Sequence, residues 1–242
     1  MIDVGAPILI LTGAGISAES GLQVFRGAGG LWEGHRLEEV ATPEAFRADP
    51  DLVQRFYNAR RAQLQDAAVQ PNAAHDALVR LQRTWPGPVT LVTQNVDDLH
   101  ERAGFGDVVH MHGELNRVRC LACAAEQGWR EDVSADSRCA TCGAAGRLRP
   151  AIVWFGEMPL AMDLIAREIG RAALFVSIGT SGVVYPAAGF VAEARALGRA
   201  HCLEINLEPS DVRSQFHEAR HGPASRLVPA WVDEMLDAAG LA

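Results

Sequence analysis

No stretch of the 242-residue chain is apolar for the roughly 20 consecutive residues that a membrane-spanning helix requires. A bilayer-crossing reading is therefore excluded. The amino terminus, Met1-Ile2-Asp3-Val4, has no basic lead, and the apolar run from Pro7 to Leu11 is too short for a signal core. A cytoplasmic address is expected. Basic clusters are missing as well. The net charge is -8 and the sequence pI is near 5.5, whereas a non-specific grip on nucleic acid needs a basic face that displaces counterions. Neither nucleic acid nor membrane is expected as a partner. Internal repeats and low-complexity tracts are absent beyond a few Ala-rich patches. What remains is ordinary for a globular protein: 48% hydrophobic and 21% charged residues, enough for one large domain or a main domain with a satellite.

Strand and helix signals alternate, which predicts a mostly parallel sheet with crossover helices. The clearest strands are Ile8 to Thr12, Val89 to Thr93, Leu174 to Ile178 and Cys202 to Asn206, each short and nearly continuous in apolar residues, as strands buried on both faces are. Helical patterns begin near Asn72, with Leu78 and Leu81 on one face, and after Pro186, with Phe190, Ala194 and Leu197 on one side. A last helix is expected from about Val228 to Ala239. Two stretches break the alternation. Residues 36–71 read as helical, and residues 119–149 hold four cysteines with few large apolar side chains. Both are expected to form a smaller inserted domain, with 1–35, 72–118 and 150–242 making up a discontinuous main domain. The fold class is thus α/β: a Rossmann-like parallel sheet domain with a smaller inserted helical plus zinc-ribbon domain.

All four strands run into polar or glycine-rich turns: Gly13-Ala14-Gly15-Ile16-Ser17-Ala18, Gln94-Asn95-Val96-Asp97, Gly179-Thr180-Ser181, and Asn206-Leu207-Glu208. Open parallel sheets bind ligands outside the carboxyl ends of their strands, so four such turns point to one shared site. The first turn fits the G-x-G-x-x-A pattern, in which glycines admit a pyrophosphate and the following helix aims N–H groups at it. A tight strand-to-helix turn alone explains the same pattern. A dehydrogenase would also finish a second strand about twenty residues on, with an acidic residue for the ribose. Here the chain reads Gly29-Gly30-Leu31-Trp32-Glu33, with no strand before it.

Cys120 and Cys123, then Cys139 and Cys142, form two C-x-x-C pairs separated by fifteen residues, a zinc-ribbon spacing. Four thiolates close the tetrahedron and leave no open position, so the expected zinc is structural. Two disulfides are the alternative and suit an oxidising compartment better. Cys202 reads as a small buried hydrophobe. His110 and His112 alternate at a strand or its end. If His112 faces the shared crevice, it is the general-base candidate, because imidazole titrates near neutrality. Tyr57 and Arg60 stand at i and i+3 and share a helix face. On residue type alone, Arg60 and Arg61 read as solvated surface.

Taken in order, Gly13-Ala14-Gly15-Ile16-Ser17, Phe25-Arg26-Gly27, Thr93-Gln94-Asn95-Val96-Asp97, His112-Gly113, the two C-x-x-C pairs, Phe155-Gly156-Glu157, Gly179-Thr180-Ser181 and Asn206-Leu207-Glu208 resemble a sirtuin, of the bacterial CobB type, over nearly the whole chain. The resemblance implies an NAD-consuming protein-lysine deacylase, an acyl-transfer enzyme in which NAD is a co-substrate cleaved without hydride movement. It implies one structural zinc and acyl-lysine proteins as substrates, with a monomer expected. His112, Asn95 and Asp97 would be catalytic, with Asn95 and Asp97 at the nicotinamide and ribose, and Gln94 and Val96 beside them. Gly13, Ala14, Gly15, Ile16, Phe25, Arg26 and Trp32 would hold NAD on one side. Gly179, Thr180, Ser181, Asn206, Leu207, Glu208 and Ala224 would hold it on the other. Val153, Phe155 and Gly156 would pair with the peptide as an added strand. By the same likeness, the acyl oxygen attacks the ribose carbon bearing nicotinamide, an alkylimidate forms, and water releases lysine and O-acyl-ADP-ribose. In sirtuins with Tyr-x-x-Arg, that pair reads an acidic acyl group such as succinyl, which makes Tyr57 and Arg60 the expected acyl selectors and deacetylation plus desuccinylation the expected activities. Three rival readings are a nicotinamide oxidoreductase, a non-enzymatic zinc-ribbon adaptor and an ADP-ribosyl transferase using the same NAD site.

Overall fold

A strand covered on both faces must be apolar throughout, and Ile8–Thr12 is buried at all five positions. The computed structural model describes residues 2–22, 31, 32 and 34–241 and sets this strand inside a six-stranded parallel sheet. Along the chain, the described strands are β1 (Ile8–Thr12), β2 (Leu31–Trp32), β3 (His35–Arg36), β4 (Val89–Thr93), β5 (Val109–His110), β6 (Gly113–Cys120), β7 (Glu126–Gly128), β8 (Leu148–Ile152), β9 (Leu174–Ile178), β10 (His201–Asn206) and β11 (Glu218–His221). The α-helices are α1 (Leu37–Val40), α2 (Pro43–Ala48), α3 (Pro50–Leu64), α4 (Ala73–Thr84), α5 (Leu99–Ala103), α6 (Met162–Arg171), α7 (Phe190–Ala196) and α8 (Ala224–Ala238).

The large sheet runs β11-β10-β9-β1-β4-β5, and every pairing in it is parallel. From β1 the chain moves outward through β4 and β5, then returns to the other flank for β9, β10 and β11. This is the doubly wound Rossmann arrangement, and its reversal point lies between β1 and β9. Successive side chains of a strand point to opposite faces. Ile8 and Ile10 therefore pack with Leu78, Leu81, Val228 and Trp231 of α4 and α8. Leu9 and Leu11 pack with Ile165, Ile169 and Phe190 of α6 and α7. At its start, α4 is capped by Asn72, whose side chain accepts from the Ala74 N–H at 2.9 Å. It stops at Trp85, the residue before Pro86, which the proline ring keeps extended.

A third apolar cluster joins α1–α3 to α5, to β6, and to the end of β8 and the segment after it, through Val53, Phe56, Tyr57, Leu99, Leu115, Ile152 and Trp154. The small sheet β7-β6-β8 is antiparallel and has only a minor core of its own, Val118, Cys120, Val133, Cys139 and Leu148. Strand β6 runs unbroken through residue 118, the expected join between main domain and zinc module.

Several elements differ from expectation. Two short 3-10 turns, Ala14–Ile16 and Ala18–Ser20, follow β1 where the sequence pattern predicts an α-helix. Leu31–Trp32 is itself a strand, but it pairs with His35–Arg36 in a separate hairpin and not in the main sheet. Leu197 is 50% exposed because α7 ends at Ala196 and Gly198 turns the chain at φ +68°. Helix α8 starts four residues before Val228, carrying Pro229 inside it, although proline favours the first turn. Arg61 is also not solvated. It is 1% exposed and donates to the carbonyls of Leu115 and Glu131 and to the Asn58 side chain, tying α3 to β6 and the zinc module.

Candidate active site

The reversal point between β1 and β9 brings two turns into close contact. The Gly15 N–H donates to the Gly179 carbonyl at 2.9 Å, and a Cβ on Gly15 would lie 2.6 Å from the Gly179 Cα. Only glycine fits there, which is the physical reason for a G-x-G after β1 and a glycine after β9. Asn206, at the end of β10, donates from its side chain to the Thr180 carbonyl at 2.7 Å and so extends the same rim. These strand ends form one wall of a cleft of about 700 Å³ whose opposite wall comes from α3 and the segment after β8.

On its floor stands the loop after β4. Asp97 is 8% exposed; its carboxylate accepts from the Ser17 hydroxyl at 3.1 Å and from the Leu99 N–H at 3.1 Å. Asn95 donates to the Ser17 oxygen at 3.2 Å. Burial pushes the Asp97 carboxyl up to about 6, against the pull of those two hydrogen bonds. His112 follows β5 and lines the same cleft. Its Nδ1 lies 3.2 Å from the Gln94 carbonyl, and a carbonyl only accepts, so Nδ1 carries the proton and Nε2 is the basic nitrogen. Burial lowers the His112 pKa, an effect the Gln94 contact offsets in part, so the ring is neutral at pH 7. Gly113 fixes the turn: its φ is +81°, and a Cβ would meet the Ala151 carbonyl oxygen at 2.1 Å. By contrast, His110 turns away to bond the Asn95 carbonyl and the Glu101 carboxylate, and among the described residues it is not part of the cleft wall.

Of the residues singled out in the sequence, the cleft brings together Gly13, Ala14, Gly15, Gln94, Asn95, Val96, Asp97, His112, Gly179, Thr180, Ser181, Asn206, Leu207 and Ala224. Tyr57, Arg60, Val153, Phe155 and Gly156 join them from the other wall. Ile16 instead faces the core beneath α4 and α8, and Glu208 is exposed outside the cleft. Phe25 and Arg26 lie outside the described residues, and Trp32 is described only as part of β2. Sequence reasoning missed Ser17, which joins Asn95 to Asp97, and Trp154 and Glu157 in the opposite wall. Ser17 stands in the glycine-rich turn itself, but its role depends on partners in the loop after β4.

The four cysteine sulfurs of Cys120, Cys123, Cys139 and Cys142 lie within 4.8 Å of one another, with Cys120–Cys142 at 3.8 Å and Cys123–Cys139 at 3.7 Å. A zinc tetrahedron with metal–sulfur bonds of about 2.3 Å has edges of about 3.8 Å. The donor set fits a structural zinc. All four are free thiols, which argues against the disulfide alternative. Purified protein is expected to carry one zinc, and Cys142→Ala is expected to lose it and lower the melting temperature by several degrees. Folded, active protein without zinc on elemental analysis would refute the site.

A family model described as the Sir2 family matches residues 13–186. An NAD-dependent protein deacylase of Escherichia coli (strain K12) is 57% identical over 229 residues, 95% of this chain and 82% of that protein. A protein of the same name from Yersinia pseudotuberculosis is 56% identical over 96% of this chain and 84% of its own length. Among solved structures, a Sir2 homologue in complex with NAD superposes with a TM-score of 0.86 at 38% identity, covering 96% of this chain and 90% of that one. A Sir2 enzyme with a p53 peptide and NAD gives 0.77 at 28% identity, covering 97% and 94%. No described helix is long and apolar enough to cross a membrane.

Proposed function

The chain belongs to the Sir2 family, and from that premise we propose that it is an NAD-dependent protein-lysine deacylase acting on both acetyl-lysine and succinyl-lysine. The reaction consumes acyl-lysine, NAD and water and yields lysine, nicotinamide and O-acyl-ADP-ribose. The observation that carries the reading is His112: a neutral imidazole at the cleft wall, its proton fixed on Nδ1 by the Gln94 carbonyl. With Nε2 as the basic nitrogen, His112 takes a proton from a ribose hydroxyl and so acts as general base. Asn95 and Asp97, coupled through Ser17, hold the nicotinamide and ribose end. The glycine turns after β1 and β9 let the backbone approach the pyrophosphate closely. Asn206, Leu207 and Ala224 flank the rest of the dinucleotide.

The acyl-lysine peptide lies along Val153, Phe155 and Gly156 as an added strand, its lysine directed between the two walls. An amide oxygen is a weak nucleophile, so the cleft must exclude stray water while the acyl group is held at the ribose. Tyr57 and Arg60 line the same cleft from α3. A guanidinium matches a carboxylate with two charge-assisted hydrogen bonds, which makes the pair suited to a succinyl terminus.

Matched acetyl-lysine and succinyl-lysine peptides incubated with NAD and followed by mass spectrometry test the assignment. Acyl loss from both is expected, strictly dependent on NAD, with nicotinamide and O-acyl-ADP-ribose as products. Transfer of ADP-ribose to the peptide without acyl loss would favour the transferase reading instead. Arg60→Met is expected to lower desuccinylation by about 100-fold, the scale of a lost charge-assisted pair of about 2–3 kcal/mol, and deacetylation far less. Equal loss of both would sink the acyl assignment.

A further inference from the structure

Trp154 is 2% exposed, and every polar and aromatic feature of its indole has a partner. Its Nε1–H donates to the Tyr57 hydroxyl at 2.9 Å. The Arg149 guanidinium lies over the ring, 3.5 Å from its centroid. Arg149 in turn forms a two-pronged pair with Glu157 at 2.8 and 2.9 Å, and the Glu157 carboxylate accepts the backbone N–H of Trp154 at 2.9 Å. Phe46 packs against the ring at 5.3 Å between centroids. The indole is thus clamped by groups from β8, from the segment after it and from α2, while its N–H reaches α3.

An indole N–H only donates. The Tyr57 oxygen is therefore the acceptor in this contact, and the phenol's own proton is turned away from Trp154. Both side chains line the cleft, on the wall that also carries Arg60. Burial raises the Tyr57 pKa above its ordinary value, which keeps the phenol protonated and able to donate. We infer that Trp154 is a positioning residue for acyl selection: its hydrogen bond fixes Tyr57 as a donor toward an acyl group that ends in an accepting oxygen, beside Arg60. The inference rests on the reading of Tyr57 and Arg60 as the acyl-reading pair. An acetyl group offers no such oxygen beyond its carbonyl, so the bond bears on succinyl much more than on acetyl. Phenylalanine at 154 keeps a ring for Arg149 and Phe46 but is smaller and has no N–H, so lost packing should affect both peptides alike while the lost hydrogen bond shows in the succinyl-to-acetyl ratio.

The test is kcat/KM for matched succinyl-lysine and acetyl-lysine peptides with the wild type, Trp154→Phe, Tyr57→Phe and the double variant, at saturating NAD. Trp154→Phe is expected to lower the succinyl-to-acetyl ratio about 3- to 10-fold, the scale of one hydrogen bond. Tyr57→Phe should lower it at least as far, and the double variant no further than Tyr57→Phe alone, because one effect acts through the other. A parallel loss on both peptides, or a second drop in the Tyr57→Phe background, would overturn the positioning role. If Tyr57→Phe and Arg60→Met shift the ratio but Trp154→Phe does not, the acyl-pair reading stands and only the Trp154 inference fails. An unshifted ratio in Tyr57→Phe and Arg60→Met would remove both.

Composition supports a second, independent inference. The sequence contains no lysine; all 22 of its lysine-or-arginine positions are arginine. Nε-acylation needs a primary amine that can lose its proton and attack an acyl carbonyl, whereas a guanidinium stays protonated to a pH above about 12. We propose that these 242 residues offer no side-chain target for the modification that the site removes, so neither acyl donors nor a second copy of the enzyme tunes it through lysine. Incubation with acetyl phosphate, followed by intact-mass analysis and a deacylation assay, is expected to show no stable acetyl group beyond the α-amino position and no change in rate. A stable internal adduct accompanied by a fall in rate would overturn it.

Discussion

Alanine at position 112 is expected to lower kcat/KM for NAD-dependent deacylation by about 10²–10⁴-fold, the range for loss of a positioned general base. The fold should survive, because the described side-chain hydrogen bonds of His112 amount to one contact with the Gln94 carbonyl. The pH profile separates His112 from its neighbour. Burial lowers the His112 pKa below its ordinary value, so the ring is already the free base at neutral pH. Asp97 is held up at about 6, by burial first. Asp97 should therefore contribute an acid limb near pH 6, with activity rising through that value to a plateau. Residual activity of His112→Ala should keep the same limb. A limb that disappears with the imidazole would assign it to His112 instead.

The parts of this design that were legible in the sequence share a physical cause. Strands β1 and β9 are buried at every position and almost wholly apolar, and β4 and β10 are buried over most of their length around an apolar centre, so all four stand out. The turns that follow must bring backbone against backbone, and glycine at 13, 15 and 179 reports that directly. Strand β11, Glu-Ala-Arg-His, lies at the sheet edge and carries ion pairs in place of apolar contacts, so it has no strand signature. The adjacent arginines of α3 show a different limit. Arg60 reaches the cleft, whereas Arg61, about one hundred degrees around the helix, is buried against the carbonyls of Leu115 and Glu131. Residue type is the same at both positions, and only the packing of β6 and the zinc module against α3 tells them apart. Ser17 and Trp154 were missed for a related reason: each acts through a partner about 80 to 97 residues away, Asp97 for Ser17 and Tyr57 for Trp154, and no local pattern records such a pairing.

Asp97→Asn is expected to make the protein more stable while lowering its activity by about 100-fold or more, the scale of a lost preorganised electrostatic contact. The carboxyl is buried, and its folded pKa of about 6 stands above the ordinary value of 3.8. Between those two values the folded chain holds a proton that the unfolded chain has released. Stability therefore falls as pH rises through that window and stays reduced above about pH 6. A shift of this size corresponds to about 3 kcal/mol at most. Asparagine removes the charge and still offers an oxygen to the Leu99 N–H and an amide to the Ser17 oxygen, so a gain of about 1 kcal/mol is expected, or roughly 2–4 °C in melting temperature at pH 7.5. The gain should shrink as pH is lowered toward 4, where aspartate in the folded chain is itself neutral. Thermal melts of both forms at several pH values, with deacylation assays alongside, read this out. A buried carboxylate that costs stability is kept for its charge in the cleft; a melting temperature lowered by Asp97→Asn at every pH would instead make Asp97 an anchor of the loop after β4.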